Sequence, residues 1–244
     1  MNNPEYMSGT GNNFVVSEYE KPKTDIEIIS IVADSLIDVD GVIFVEKIDN
    51  QTVKMHYYNN DGSTAELCVN GVRCAAKYAI DNSIIDSNNI TVIAPLGNIK
   101  TVINEDSVSI EILIPTYDEE KIIIDNHDCI KSNIGNPHLL VKVDNVDKFD
   151  LDNFVEKVYA TKHFENGINI EIFNMIDKKI INARVHERGV GETDACGSGA
   201  ICMFYYLYDT RQINNNSIIL YPGGELEMSI EKDIVTLTGK VTYL

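Results

Sequence analysis

The sequence predicts an α+β protein of two similar halves, each a mostly antiparallel sheet wrapped around a central helix. Motifs of the first half recur in the second half in the same order, and each half combines alternating β-branched runs with one clear helix pattern. Neither half shows the regular strand–helix alternation of a doubly wound sheet. We therefore predict two pseudo-symmetric domains, residues 1–118 and 119–244, with the active site in the cleft between them.

The internal repeat is clearest around two cysteines. The segment AELCVNGVRCAAKYA in the first half is matched by DACGSGAICMFYYLY in the second. At one constant spacing, Cys68, Gly71, Cys74 and Tyr78 recur as Cys196, Gly199, Cys202 and Tyr206. The match extends outward with little drift, pairing Gly11-Asn12 with Gly135-Asn136, Gly41 with Gly167, and Pro95-Leu-Gly97 with Pro222-Gly-Gly224. This order favours a duplicated chain.

Local patterns predict the elements of each half. Alternating runs at 53–59 and 179–187 indicate strands, and helices are expected to begin just after Cys68 and just after Cys196. A further helix is predicted at 24–36, because Thr24 with Glu27 three residues later forms a capping box, and helix propensity recurs at 150–161. Turns are predicted at Asn60-Asp-Gly62 and Pro222-Gly-Gly224.

The composition restricts the classes of ligand. Of 244 residues, 44% are hydrophobic and 24% are charged, which is typical of a folded globular protein. A formal charge of -18 argues against nucleic acid, whose phosphates require clustered cations. No secretory signal or membrane-length apolar run is evident, and five cysteines fit a reducing compartment. We therefore expect a cytoplasmic protein with a small-molecule ligand and no membrane partner; whether it forms a homodimer is left open.

The placement of two cysteines at helix starts points to proton transfer. The positive end of a helix stabilises a thiolate, so the thiols of Cys68 and Cys196 are expected to have lowered pKa values. The N–H groups that follow them can bind a carboxylate or the charge that develops on it. Those groups belong to Val69 and Asn70 in the first half and to Gly197 and Ser198 in the second. Two opposed sulfurs, one deprotonated and one protonated, could invert a stereocentre without a cofactor.

Other interpretations of the reactive residues are weaker. Cys74, Cys129 and Cys202 are expected to pack in the interior, as free cysteines commonly do. A zinc site lacks the usual spacing of Cys and His pairs, so no metal is predicted. A nucleophile–histidine arrangement with His138 or His186 has no residue pair in the sequence to support it.

Five segments together resemble the diaminopimelate epimerase family over essentially the whole chain. They are SGTGNNFV, NNDGSTAELCVNGVRC, IGNPHLLV, NGINIEIF and HERGVGETDACGSGA. The resemblance implies an epimerase that interconverts LL- and meso-diaminopimelate without pyridoxal phosphate, on the route to lysine and cell-wall cross-links. It implies that Cys68 and Cys196 are the catalytic cysteines. Residues that hold the distal amino-acid group fall on Asn12, Asn59, Asn136, Asn169, Glu187 and Arg188.

Two residues are candidates to orient a thiol, and three departures from the family pattern bear on the substrate. His138 and Glu187 are candidates to orient one thiol, although His138 could equally be a packed loop histidine. Val69 replaces the usual Gly, Ser8 the usual His, and Gly41 a frequent Gln. These changes leave the exact substrate open, and Val69 suggests a racemase of another amino acid, such as histidine. A non-catalytic amino-acid-binding protein of the same fold is a separate alternative.

Overall fold

The computed structural model describes residues 2–64, 68–95 and 97–244, with the backbone alone at positions 2 and 3. Ala65, Glu66 and Leu67, which precede Cys68, and Leu96 of the Pro95-Leu-Gly97 match lie outside the described residues. The fold is mixed α/β, rich in strands and poor in helices. It divides into two compact units, one reaching up to Ile112 and including Thr238–Leu244, the other spanning Leu113–Leu237.

The first unit is a mixed sheet packed on one long helix. Its elements are β1 (Asn2–Gly9), β2 (Asn12–Glu18), α1 (Asp25–Ala33), β3 (Gly41–Lys47), β4 (Thr52–Asn59), α2 (Val69–Asp81), β5 (Asn89–Ala94), β6 (Gly97–Asn104) and β7 (Ser107–Leu113). Consecutive strands pair in the order antiparallel, parallel, antiparallel, parallel and antiparallel from β1 to β6. Helix α2 contacts all six of these strands.

The second unit repeats this series of pairings. Its elements are β8 (Thr116–Tyr117), β9 (Ile122–Ile124), β10 (His127–Asn133), β11 (Pro137–Lys142), a 3-10 turn (Val146–Lys148), α3 (Leu151–Ala160), β12 (Asn169–Met175), β13 (Ile180–Glu187), β14 (Gly191–Thr193), α4 (Gly197–Asp209), β15 (Asn216–Tyr221), β16 (Gly224–Glu231) and β17 (Ile234–Tyr243). The same alternation of antiparallel and parallel pairs runs through β10, β11, β12, β13, β15 and β16.

The parallel pairings were not predicted from the sequence. Each unit has two of them, β2–β3 and β4–β5 in the first and β11–β12 and β13–β15 in the second. Antiparallel pairs still outnumber them. The C-terminal end of β17 pairs with β1, which places Thr238–Leu244 in the first unit.

Local capping explains where the helices begin. Thr24 and Glu27 form the predicted capping box at α1, but the helix ends at Ala33, before the predicted limit at residue 36. Asp150 caps α3. At α2 and α4 the N-cap residues are Cys68 and Cys196, each in an extended conformation. No helix in the described part of the chain has the length and apolar character needed to cross a bilayer.

Candidate active site

The first cysteine lies at the start of the helix of its unit. Cys68 is half-buried, and its Sγ accepts a hydrogen bond from the backbone N–H of Gly71 at 3.3 Å. Val69 is only 3% exposed, so the side chain that replaces the family's usual glycine packs into the core. Asn70, also buried, donates its amide to Asn12 Oδ1. The structure thus brings Asn12 and Asn70 together beside the cysteine.

A tight hairpin delivers Asn12 to this position. The two residues between β1 and β2, Thr10 and Gly11, have φ values of 56° and 88°, as in the turns that favour glycine. The end of β1 lies close to α2, because a Cβ on Gly9 would come 2.8 Å from the carbonyl oxygen of Asn70. Asn59 lies at the end of β4, where its amide donates to Ser63 Oγ at 2.9 Å.

A buried arginine fastens this hairpin to α2. Arg73 is 0% exposed; it donates from Nη1 to Asn70 Oδ1 at 2.9 Å and from Nη2 to Thr10 Oγ1 at 2.7 Å. Burial lowers the pKa of Arg73 to about 10, which leaves it cationic at neutral pH. Among the described residues no carboxylate pairs with it. Sequence reasoning missed Arg73, although a cation inside an otherwise apolar and small-residue helix run was a visible signal.

Replacing Arg73 with lysine should destabilise the first unit. Lysine lacks the planar fork that reaches Thr10 and Asn70 together, so one of these buried groups loses its partner. We expect the free energy of unfolding to fall by about 1–3 kcal/mol, measured by urea denaturation. Arg211→Lys, at an exposed position, is the control and should change stability by less than about 0.5 kcal/mol. Equal stability of the two variants would contradict the anchoring role.

The second cysteine lies in a matching position but is more enclosed. Cys196 is 4% exposed, and its Sγ accepts from the backbone N–H of Gly199 at 3.4 Å and lies 3.4 Å from Ser198 Oγ. Gly197 and Ser198, the residues that follow it, are buried in the first turn of α4. The amide of Asn136 donates to Ser198 Oγ at 3.3 Å. In each unit, therefore, an asparagine next to a tight turn forms a hydrogen bond with the residue two positions after the cysteine.

A cluster of buried polar side chains surrounds Cys196. His138 and Glu171, both 0% exposed, meet through Nδ1 and Oε1 at 3.2 Å, and His138 Nε2 lies 3.1 Å from Asn136 Oδ1. The other carboxylate oxygen of Glu171 accepts from the hydroxyl of Tyr221 at 2.9 Å. Ligand atoms of His138, Glu171 and Cys196 lie within 4.8 Å of one another. A metal would need a ring nitrogen of His138. Both already have oxygen partners, so the trio is better described as a hydrogen-bonded cluster.

Burial changes the acid–base character of this thiol. It raises the pKa of Cys196 well above the usual value, and the carboxylates of Glu187 and Glu171 raise it further, while hydrogen bonds from Ser198 and Gly199 lower it less. The expectation that the helix start lowers this pKa was wrong for Cys196. Loss of hydration and two nearby negative charges outweigh the helix end. Before any ligand binds, Cys196 therefore carries its proton.

The remaining predicted residues lie where β12 begins and β13 ends. Asn169, 5% exposed and level with His138 in the parallel β11–β12 pair, accepts from the backbone N–H of Arg188 at 2.9 Å. Glu187 Oε1 accepts from Thr193 Oγ1 at 2.5 Å. Arg188 packs over Gly167, where a Cβ would come within 2.7 Å of its side chain. His186, considered earlier as a partner for a nucleophile, instead faces the ring of Tyr159.

Sequence reasoning also missed Glu171 and Tyr221. Glu171 lies within the run INIEIF, where every neighbouring position of β12 is buried, so a charged residue inside an apolar strand was the available signal. Tyr221 ends β15 and gave no comparable signal.

The glycine at position 41, where the family often has glutamine, has a local explanation. A Cβ there would come 2.4 Å from the carbonyl oxygen of Tyr58 and 2.7 Å from the Tyr57 ring. The space that a glutamine would need is filled by the neighbouring strand.

Comparisons with known proteins identify the family of the chain. The diaminopimelate epimerase family model matches residues 6–114 and 130–244. The chain is 32% identical to a diaminopimelate epimerase of Thermotoga maritima, covering 96% of both chains, and 29% identical to one of Methanococcus maripaludis, covering 97% of this chain and 95% of the relative.

Solved structures show the same fold at low sequence identity. A hydroxyproline epimerase from Agrobacterium vitis, with bound trans-4-hydroxy-L-proline, superposes with a TM-score of 0.77 at 12% identity, covering 99% of this chain and 90% of that one. A PhzF-family phenazine biosynthesis protein from Enterococcus faecalis gives a TM-score of 0.74 at 13% identity, covering 99% and 96%. The agreement in sequence extends along nearly the whole chain and includes both cysteine helices, and the chain belongs to the diaminopimelate epimerase family, whose members are isomerases that epimerise amino acids.

Proposed function

We propose that the protein interconverts LL- and meso-diaminopimelate in the cytoplasm, without pyridoxal phosphate, using Cys68 and Cys196 as its proton-transferring pair. One observation carries the proposal. Each unit presents a cysteine as the N-cap of its longest helix, with Sγ accepting from the backbone N–H three residues later. Such sulfurs lie next to backbone donors that suit a carboxylate. The predicted cleft between the two halves is part of this proposal.

The proposed reaction conserves protons and needs no external oxidant. One sulfur, as thiolate, takes the α-proton of the substrate, and the other, as thiol, gives its proton to the opposite face of the same carbon. The S–H bond that forms replaces the one that breaks, so the two sulfurs exchange protonation states. Negative charge that develops on the substrate carboxylate would be stabilised by the N–H groups at the helix starts.

The environment of Cys196 supports an assignment of roles at the start of the reaction. Its raised pKa keeps it protonated in the resting enzyme, so we assign it the role of the first proton donor and Cys68 that of the first base. Arg73 supports the second assignment, because a buried cation that interacts electrostatically with Cys68 favours negative charge there.

Arg188 favours a substrate that has a second carboxylate. Its guanidinium offers a fork of donors, its backbone N–H donates to Asn169, and Glu187 is its neighbour in the sequence. A substrate with only one amino-acid head group would have little use for this set. We therefore favour diaminopimelate over an amino acid such as histidine.

Isotope exchange tests the proposal directly. Reduced enzyme is incubated with LL-diaminopimelate in heavy water, and deuterium at the α-carbon is followed by NMR. We expect loss of the α-proton signal together with formation of the meso isomer. A parallel panel containing histidine, proline and glutamate separates the candidates, and exchange on one of these without exchange on diaminopimelate would transfer the activity to another substrate. The absence of exchange on every substrate would contradict catalysis by this pair.

A further inference from the structure

Glu171 is a buried carboxylate that the proposed reaction does not use. It lies in β12 with 0% exposure, and each of its oxygen atoms has a partner: Oε1 meets His138 Nδ1 at 3.2 Å and Oε2 accepts from Tyr221 Oη at 2.9 Å. The helix start above it leaves room for it only because residue 199 is glycine, where a Cβ would lie 1.8 Å from Oε1. Burying a carboxylate is costly unless it is fully paired, so its presence calls for a role.

A continuous chain of hydrogen bonds connects this carboxylate to the sulfur of Cys196. From Glu171 it passes to His138 at 3.2 Å, from His138 to Asn136 at 3.1 Å, and from Asn136 to Ser198 at 3.3 Å. The last link is the 3.4 Å approach of Ser198 Oγ to Cys196 Sγ. All of these residues belong to the second unit.

The direction of donation along these hydrogen bonds follows from the contact between Asn136 and Ser198. Because the Asn136 nitrogen donates to Ser198, its Oδ1 must accept, and His138 must therefore carry a hydrogen on Nε2. With Nε2 fixed as a donor, the 3.2 Å contact between His138 Nδ1 and Glu171 Oε1 needs one further proton, which these two atoms share. The Ser198 oxygen is then occupied as an acceptor, and its own hydrogen is left to point at the sulfur.

We infer that Glu171, held by Tyr221, is a positioning residue: it fixes the tautomer and orientation of His138 and so aims the Ser198 hydroxyl at Cys196 when that sulfur becomes a thiolate. This inference rests on the proposed function for its catalytic consequence. The need for such a device is clear from the site. Cys196 must become a thiolate in a buried place beside two carboxylates, and the donors that offset this are Ser198 and the Gly199 N–H.

Two substitutions at position 171 separate positioning from simple filling of space. Glu171→Met keeps the length but offers nothing to His138 Nδ1, so a neutral imidazole can carry its hydrogen on either nitrogen. When Nε2 lacks the hydrogen, the Asn136 amide turns over and donates to it, Asn136 Oδ1 accepts from Ser198, and the Ser198 hydrogen no longer points at the sulfur. We expect kcat to fall about 10- to 100-fold with KM changed less than about threefold. Glu171→Gln can accept from Tyr221 and donate to His138 Nδ1, which preserves Nε2–H, so it should recover most of the kcat. Glu227→Met and Glu227→Gln, on the exposed face of β16, are matched controls that should leave kcat unchanged.

A spectroscopic measurement makes the test independent of the substrate. The ¹⁵N spectrum of the imidazoles, with His138 assigned through His138→Gln, should show a protonated Nε2 in the parent protein and in Glu171→Gln, and averaged tautomers in Glu171→Met. Tyr221→Phe removes one partner of Glu171 and should give a smaller change in both measurements. It also keeps the test decisive if Glu171→Met fails to fold.

The outcomes distinguish the two proposals. If diaminopimelate shows no exchange with the parent protein while the imidazole spectra change as expected, the proposed function fails and the positioning of His138 stands. Normal kcat in Glu171→Met, equal losses in the Met and Gln variants, or an Nε2 without a proton in the parent protein would each overturn the role of Glu171.

Discussion

Cys196→Ala and Cys68→Ala should each reduce the rate of diaminopimelate epimerisation about 10³-fold or more while the protein stays folded. In the proposed reaction each sulfur supplies or accepts the α-proton on one face of the substrate, and no other side chain is assigned to that step. General acid–base groups are commonly worth about 10²–10⁴-fold, and here both transfers are required for inversion. The measurement is the rate of conversion of LL- to meso-diaminopimelate, with circular dichroism to check folding.

The internal repeat provides matched controls for these variants. Cys74→Ala and Cys202→Ala remove a sulfur from the same two helices, at positions that are 0% exposed. Burial raises the pKa of each of these thiols to about 12, so both are inert at neutral pH. We expect activity within about threefold of the parent and a stability loss of about 1 kcal/mol. A loss in Cys202→Ala as large as that in Cys196→Ala would show that the effect comes from packing.

Gly199→Ala should strongly damage the second unit by adding a single methyl group. A Cβ at this position would lie 1.8 Å from Glu171 Oε1 and 2.2 Å from its Cδ, distances that no side-chain adjustment of alanine can relieve. The buried carboxylate must move and lose His138 or Tyr221. We expect the free energy of unfolding to fall by about 2–4 kcal/mol and kcat to fall more than about 100-fold, measured by denaturation and by the exchange assay.

The double variant Gly199→Ala with Glu171→Ala identifies the cause. If the clash is with the carboxylate, removing that carboxylate should recover much of the stability, so the two substitutions will not be additive. Gly71→Ala, at the matching position of the first unit, is the control. There a Cβ would meet the flexible end of Ile43 at 3.0 Å and Cys68 Sγ at 3.2 Å, and the stability loss should be smaller. Additive losses at 199 and 171 would contradict this explanation.

The parts of the fold that could be predicted are those with local signals. The helices after Cys68 and Cys196, the capping box at Thr24 and the tight turn before Gly224 all depend on residues a few positions apart. The parallel pairs depend on strands that are far apart in sequence, and no alternation pattern distinguishes them from antiparallel ones.

The environment of the second cysteine could not be predicted for a similar reason. Its position at a helix start is local and was visible. The burial that raises its pKa comes from residues spread over much of the second half, and the Glu171–Tyr221 contact joins residues 50 positions apart. The charged residue Glu171 in an apolar strand indicated that a buried carboxylate needs a partner, but the sequence did not indicate which residue that partner is.

From the position of the last strand we expect the two units to complete their sheets in a definite order during synthesis. Unit two is contiguous from Leu113 to Leu237, whereas the side of β1 opposite β2 pairs with Val241, Thr242 and Tyr243, and Tyr6 accepts from the backbone N–H of Leu244. As the ribosome releases the chain from its N-terminus, the second unit can close its sheet while the first still waits for this covering strand. We therefore expect the half that is translated first to finish folding last, with a strand edge that needs protection in the interval.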